Sequence, residues 1–468
     1  GEQHGFRNSQ MTVLAPTGCL VESSLISTNK GLVRLSKLGN KKGSQWQDIS
    51  LKVMTDEGPK EATKFYINGE AATRRITTDS GYEIQGTEKH RIKVLDPDTR
   101  QLVWKRFYEI KEGDVVPLAM NTVFGEEQTV RLPPAPELHW NSDYTLRTPA
   151  DMNKELAELL GYFMGDGSLH SKGLRFCVDN KEEDVVERLK TIIKNVFNLE
   201  THVSQQKGYK EVALHSVPLT IWWESCGFSK LKPSVDHSGK GYTPRIPDAV
   251  LHTNDRAIYG AFLRGLFEAD GTIGLGNPSV TTASKDFAHE IRTLLLSLGY
   301  PTTTKIDISG WGDSELYVLR LKNISYNKSF LDNVGFIGNR KTGAIASRSM
   351  QTGKRDYVYL SEDVVDEAVP VGNSHRDAVL LSLRRHQAIP REMAMKLYQD
   401  TKHPQLLWAL QFFYDRIGSN VAGGIHPTYD ISVPENVTYN ANGFISHNTI
   451  AFMMDCDTTG IEPDIALV

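Results

Sequence analysis

Cysteine is scarce and scattered. Cys19, Cys177, Cys226 and Cys456 are the four in 468 residues, and no two stand in a CxxC spacing. That argues against a zinc ribbon or a disulfide-stapled scaffold and fits a reducing cytoplasm. There is no run of about 18 apolar residues and no basic-then-apolar leader, so neither a membrane span nor an export signal is expected. Nor is there a surplus of positive charge: 53 Lys and Arg face 57 Asp and Glu, a formal charge of −4. Such a chain is no polycation, and any contact with nucleic acid must come from a local face. The first residue is Gly1 rather than methionine, which leads to the expectation of a piece cut from a longer polypeptide. What is present is ordinary globular material, 39 % hydrophobic and 24 % charged, enough for several domains.

From Gly18 to Leu118 the text breaks into short β-rich segments, LVRLSKL, DISLKVMT, ATKFYING and EIQGTEKHRIKVLD among them, parted by Gly and charged turns. Such spacing predicts a compact all-β unit. Residues 121–149, with PPAPELHW, read as a linker. Helical periodicity then starts after Asp151, a suitable N-cap for MNKELAELLGYFMG. Residues 150–345 repeat internally. ELLGYFMGDGSLHSKGLRF and FLRGLFEADGTIGLGNPSVTT each open a run of helix, hairpin, helix, hairpin. Each run closes on a Gly-Phe-led basic phrase, CGFSKLK at Cys226–Lys232 and VGFIGNRK at Val334–Lys341. Two copies of a mixed α/β unit predict a pseudo-two-fold body. Residues 346–407 read as short helices, an accessory DNA contact or a spacer, and β texture returns over 408–448.

Removing Cys19 through Asn448 fuses the outer pieces into NSQMTVLAPTG-TIAFMMDCDTTGIEPDIALV, which reads continuously. Around APTGTI the fused text resembles the cobalamin-dependent (class II) ribonucleotide reductases. The insert opens on Cys19 after Gly18, closes on His447-Asn448, and is followed by Thr449. In these junctions and in motifs between them the chain resembles an intein. A thiol at Cys19 suits attack on the Gly18 carbonyl, turning an amide into a thioester. Glycine at the scissile position permits a strained backbone at little steric cost.

The resemblance implies the remaining roles. Thr87 and His90, in Gly86-Thr87-Glu88-Lys89-His90, match the family's TxxH motif. Thr87 would orient the scissile peptide, and His90 would protonate the departing nitrogen, a task suited to imidazole near neutral pH. Asp430, in TYDISV, matches the strand motif whose aspartate activates or positions Thr449 for attack on the thioester. Asn448 then cyclises onto its own carbonyl with His447 assisting, and an acyl shift leaves a Gly18–Thr449 peptide bond. Relatives often carry a further histidine where this chain has Val437, so the assistance must come from His447 or another group.

GYFMGDG and GLFEADG resemble the paired motifs of LAGLIDADG homing endonucleases. Gly161 and Gly265 allow two helices to pack closely, and Asp166-Gly167 and Asp270-Gly271 end them, glycine suiting a C-cap. Symmetric packing would bring Asp166 and Asp270 together, where two carboxylates repel unless a cation neutralises them. Mg²⁺, a hard cation taking oxygen ligands, fits that place and would serve phosphodiester cleavage. Glu268 fills the motif's other acidic position, whose counterpart is Met164. Lys232 and Lys341 resemble the family's active-site lysines, with Arg340 an equal candidate by register. Across Asp151–Met350 there are 24 basic and 23 acidic residues. DNA binding therefore requires the signs to segregate to opposite faces. The family's sheets present a saddle to the major groove, where alternate side chains read base edges. The groove-facing candidates are Arg175, Lys181, Gln206, Lys207, Lys210, Lys285, Lys305 and Trp311.

The expectation is thus a multidomain chain. An all-β splicing (Hint-type) domain from 19–120 and 408–448 is interrupted by the 121–149 linker, an α/β pseudo-two-fold LAGLIDADG endonuclease at 150–345, and the 346–407 region. Extein fragments occupy 1–18 and 449–468. Its expected activities are autocatalytic excision of 19–448 and site-specific double-strand cleavage of a DNA homing site. Splicing would need no cofactor and the nuclease Mg²⁺. The chain would be a cytoplasmic monomer whose partners are double-stranded DNA and its own extein segments. The rival reading is a DNA-binding module with an inactive nuclease, against which both Asp166 and Asp270 stand intact. The flanks are too short to form a reductase.

Overall fold

Two strands of 21 residues, Gly58–Thr78 and Phe412–Ser432, form the spine of the β-rich part of the chain. They pair antiparallel from Ile417↔Thr78 to Ser432↔Lys64, with register shifts near Ile417, Ala422 and Thr428. Such bulges take up the twist that long strands accumulate. The computed structural model describes residues 18–136, 146–231, 243–274, 277–308, 315–322, 324–346 and 356–448. It separates into one unit holding the residues up to Asn29, Val33–Ala119 and those from Tyr357 onward, and a second holding Lys30–Leu32 and Met120–Asp356. Among the described residues no helix is long and apolar enough to cross a membrane.

In the first unit the two ends of the chain interleave within one twelve-stranded sheet. Leu20–Val21 lies between Phe412–Ser432 and Glu83–Thr87. The hairpin Thr438–Ala441 and Phe444–His447 meets Leu25–Thr28 on one side and Arg91–Leu95 on the other. It turns on Asn442-Gly443, with φ of 52° and 90°, the backbone that a two-residue type I′ loop requires. Period-2 alternation sends Phe65, Ile76, Ile84, Ile92, Val94 and Tyr439 fully inside.

The helices Glu362–Ala368, Arg376–His386, Arg391–Thr401 and Pro404–Leu410 also belong to this unit. Val365, Val379, Leu383, Ala394, Leu397, Leu406 and Ala409 form a small core that continues through Phe412 and Tyr414 of the sheet. Strand structure resumes at Phe412, not at residue 408 as the sequence suggested. Pro404 in the first turn starts a further helix, whose Leu406 and Ala409 are buried.

The second unit repeats a helix, a hairpin, a helix and a hairpin. The first copy runs Lys154–Asp166, Gly167–His170 with Gly173–Asp179, Glu183–Phe197, and His202–Gln205 with Tyr209–His215. The second runs Arg256–Ala269, Gly271–Gly274 with Asn277–Thr282, Lys285–Ser297, and Thr302–Ile308 with Glu315–Leu321. Each copy closes its own four-stranded antiparallel sheet. Asn153 caps the first helix, accepting from Leu156 N at 2.9 Å. Asp151, the expected cap, is instead held in a bridge to Arg131, so the helix begins later. Asp255 and Ser284 cap the corresponding helices of the second copy.

Helices Lys154–Asp166 and Arg256–Ala269 form a close seam. A Cβ on Gly161 would lie 1.9 Å from the Phe262 carbonyl oxygen, and one on Gly265 would lie 2.0 Å from that of Glu158. Only glycine admits this approach. Glu158 is buried in the seam, where Arg264 of the second helix and Arg188 each donate to it at 2.8 Å. Breaking either contact would leave a buried charge undercompensated.

Candidate active sites

At the upstream junction Cys19 and Thr87 form a reciprocal pair. Cys19 N–H donates to Thr87 Oγ1 at 2.9 Å, and Thr87 N–H donates to the Cys19 carbonyl at 2.8 Å. His90 is fully buried, and its Nδ1 lies 2.9 Å from the Gly18 carbonyl oxygen. A carbonyl only accepts, so Nδ1 carries the proton. The sequence assigned His90 to the departing nitrogen; in the structure Thr87 contacts that nitrogen and His90 faces the oxygen of the same peptide. Burial outweighs this hydrogen bond and, helped by His447, pulls the His90 pKa down to about 4. A Cβ on Gly18 would sit 1.9 Å from His90 N, so this position has to be glycine.

Cys19 is buried, and its thiol is pushed well up, first by burial and then by the nearby Asp430. Asp430 is itself buried on the long strand, its Oδ1 accepting from Ile431 N at 2.9 Å and from the Tyr439 hydroxyl at 2.8 Å. Tyr439 was not singled out from sequence. Its inward place follows from strand alternation, but nothing in its neighbours signals a contact with Asp430.

At the downstream junction Asn448 is fully buried. Its backbone N–H donates to the Val437 carbonyl at 2.8 Å, and its Nδ2 donates to the Val433 carbonyl at 2.9 Å. His447 Nδ1 donates to the carbonyl oxygen of Asn448. Burial first, then Arg91, pulls the His447 pKa down to about 4, against the opposing pull of that carbonyl. Both imidazoles are therefore neutral donors near pH 7. Thr449 lies outside the described residues.

In the second unit Asp166 and Asp270 end the two seam helices. A Cβ on Gly165 would meet Asp270 Oδ2 at 3.1 Å, which places Asp270 against the end of the opposite helix. Burial, then Asp166, pushes the Asp270 carboxyl up to about 7. Asp166 is also raised by burial, against the pull of Lys230 and Lys341. Lys341 donates to the Phe267 carbonyl at 3.3 Å and pairs with Glu268 at 3.5 Å. Its counterpart is Lys230, which donates to the Gly165 and Gly167 carbonyls at 2.8 Å each. Lys232 lies outside the described residues. Its neighbour was missed because the two basic phrases differ in length between Phe and Lys. Arg340 is engaged by Glu182 at 2.6 Å. Glu268 accepts from Ile337 N at 2.7 Å and Gly338 N at 2.8 Å, so it braces the segment that carries Lys341.

Among the described residues no three His, Cys, Asp or Glu side chains form a metal cage. The two carboxylates remain a hard-oxygen donor pair whose negative charge is disfavoured by burial and, at Asp270, by Asp166. That environment fits a divalent cation such as Mg²⁺.

The sheet faces divide the remaining candidates. Leu174, Phe176 and Val178 are buried, so Arg175 stands on the opposite face, 3.8 Å from Glu211. Lys305 stands likewise in the second sheet, 2.6 Å from Asp307. Lys181, Gln206 and Lys207 are exposed in turns beside the first sheet. Lys210 is paired with Val178 in register and with Glu183 in charge, which puts it on the helix-covered side. Lys285 opens a helix and is off the sheet surface. Trp311 lies outside the described residues. The same alternation places His170, His202, His215 and Arg320, none of them singled out from sequence, on the faces of Arg175 and Lys305.

A protein-family model for a LAGLIDADG-like domain matches residues 257–335. The replicative DNA helicase DnaB of Rhodothermus marinus is 25 % identical over 95 % of this chain and 47 % of its own length. The DnaB of Synechocystis sp. is 24 % identical over 96 % of this chain and 51 % of its own. This chain thus spans about half the length of these relatives. Among solved structures, I-DmoI in complex with DNA and Mn aligns at a TM-score of 0.29 and 18 % identity, over 39 % of this chain and 96 % of its own. A DnaB intein from Synechocystis sp. PCC 6803 aligns at 0.18 and 19 %, over 22 % and 70 %. Residues 257–335 thus carry a LAGLIDADG-like domain, within an α/β repeat whose two seam helices end at Asp166 and Asp270, and the chain also folds a large antiparallel sheet.

Proposed function

We propose that residues 19–448 excise themselves and join Gly18 to Thr449, and that Asp166 and Asp270 cut double-stranded DNA at the host site the insert occupies. The observation that carries the splicing half is the meeting of the chain's two ends, which sets Asp430 beside Cys19 and His447 near His90.

The Cys19 thiol adds to the Gly18 carbonyl, and the oxygen that takes up charge is the one facing His90 Nδ1–H. A preplaced donor in a dry site is worth most at that point. The thiol proton ends on the departing nitrogen, with the Thr87 hydroxyl beside it as relay. The Thr449 hydroxyl then adds to the thioester and expels the Cys19 sulfur. Asp430 takes the hydroxyl proton and returns it to the thiol. Asn448 Nδ2 next adds to its own carbonyl carbon while His447 Nδ1–H holds the oxygen. The Asn448–Thr449 bond breaks, and the freed Thr449 amine takes the Gly18 acyl group from its own oxygen.

In the second unit Asp166 and Asp270 would hold Mg²⁺, which supplies charge neutralisation and an activated water for phosphodiester cleavage. Lys230 and Lys341 offset the carboxylate charge and stand ready for the scissile phosphate. Arg175 and Lys305 face the duplex. The flanks point to a class II ribonucleotide reductase as host.

Intact mass after expression in reducing buffer tests the first half. The expected products are a ligated peptide and a species lacking the 18 residues before Cys19 and the 20 after Asn448. A full-length 52.4 kDa species alone would refute it. For the second half, a plasmid carrying the uninterrupted host junction should be cut in Mg²⁺ by the natural chain and only bound by Asp166→Asn. Binding without cleavage by the natural chain would favour an inactive nuclease.

A further inference from the structure

Among the described residues the His447 ring hydrogen-bonds to the Asn448 carbonyl, and a ring held at one nitrogen gains from lateral support that keeps it in one rotamer. That support is aromatic. Trp104 meets the His447 ring edge to face, with centroids 4.8 Å apart. Across the hairpin from Trp104, in direct register, stands Lys93, its ammonium 5.4 Å from the Trp104 ring centroid. Lys93 is ion-paired to Asp56, which is buried. Asp56 also accepts from the Thr438 hydroxyl at 2.6 Å, and Thr438 is the residue directly opposite His447 in its own hairpin. One carboxylate thus fixes both the strand partner of His447 and the cation beneath its aromatic neighbour. Asp56 is tied in turn to the helical segment, because its carbonyl accepts from Trp408 Nε1 at 3.0 Å.

We propose that the helical segment Glu362–Leu410 and the Arg91–Arg106 hairpin together brace the downstream junction, holding His447 against the Asn448 carbonyl through Trp408, Asp56, Lys93 and Trp104. The segment is then neither a spacer nor a DNA contact but a part of the splicing domain. Trp104 and Asp56 are positioning residues that act through His447. The proposal rests on the reading that the Asn448–Thr449 bond is cut.

Two precursors separate the junctions. In a Cys19→Ala background, where only Asn448 cleavage runs, Trp104→Ala should slow cleavage about tenfold or more, since small misplacements of a catalytic group cost that much. Trp104→Phe should restore the rate to within about threefold by returning an aromatic edge. Trp408→Phe, which removes one hydrogen bond, should cost about threefold. In an Asn448→Ala background, release of the upstream segment by dithiothreitol should be unchanged by the same substitutions. The titration of His447, followed by NMR in that background, should move from about 4 toward the ordinary histidine value in Trp104→Ala as water reaches the ring. Equal losses at both junctions, or an unmoved rate and titration, would overturn the brace. Should the natural chain cleave at neither junction, the splicing reading fails, and the His447 titration alone decides whether Trp104 holds the ring.

Discussion

At the scale of single residues, the upstream site is defined by what cannot be enlarged. Gly18→Ala would place a methyl inside the His90 backbone. It should reduce dithiothreitol-dependent release of the upstream segment at least about tenfold while Asn448-dependent cleavage continues. The two neutral histidines also set a pH limit on stability. Each titrates at about 4 in the fold and near 6.5 in the unfolded chain. Their depressed values leave stability intact above pH 6.5 and erode it as pH falls toward 4. By pH 4.5 each costs on the order of 2–3 kcal/mol. Urea unfolding at pH 7 and pH 4.5 should therefore show a smaller pH-dependent loss in His90→Gln than in the natural chain. Cys19, Thr87, His90, Asp430, His447 and Asn448 could be singled out from sequence as candidates by chemical type and order, and the structure sets Thr87 and His90 against the Gly18–Cys19 peptide and His447 against the Asn448 carbonyl. Tyr439 and Trp104 could not, since an aromatic that touches a polar side chain reads in sequence like one that fills a core.

At the scale of elements, the seam between the two capped helices governs the carboxylate pair. Gly265→Ala must push the helices apart against the Glu158 carbonyl, at about 1–3 kcal/mol for an overpacked contact. DNA cleavage should be lost and splicing kept, as measured by plasmid cutting and intact mass on the same sample. Asp270, whose carboxyl is raised to about 7, opposes folding as it ionises without a cation, an effect that grows from about pH 4 up through pH 7. Asp270→Asn should accordingly stabilise the metal-free second unit at pH 7.5, on the order of 4 kcal/mol, and remove any stabilisation by Mg²⁺. The repeat was readable because helix and hairpin recur in one order, and the paired Asp-Gly ends follow from that periodicity. Side-chain direction on the sheets was not. Lys210 faces Glu183 because one residue of register decides the face of a strand, and Lys285 leaves the sheet because Ser284 caps a helix that starts there.

At the scale of the whole molecule, the chain divides into two compact units, and the proposed splicing and cleavage residues fall one set in each. Replacing residues 120–356 with a short flexible linker should leave splicing products visible by intact mass. A linker variant that stays full length would show that the second unit is required. The β-rich unit carries a different constraint, in time. Ser27 meets Asn440, a partner 413 residues further along the chain, and Leu25 meets Asn442 in the same hairpin. A ribosome adding about 5–20 residues per second needs roughly 20–80 s to cover that distance. Until then Cys19 is a tethered thiol with no Asp430 beside it and no closed sheet around it. On the proposed reaction the interleaving of these segments would work as a delay, with bond exchange waiting until the last strands are made.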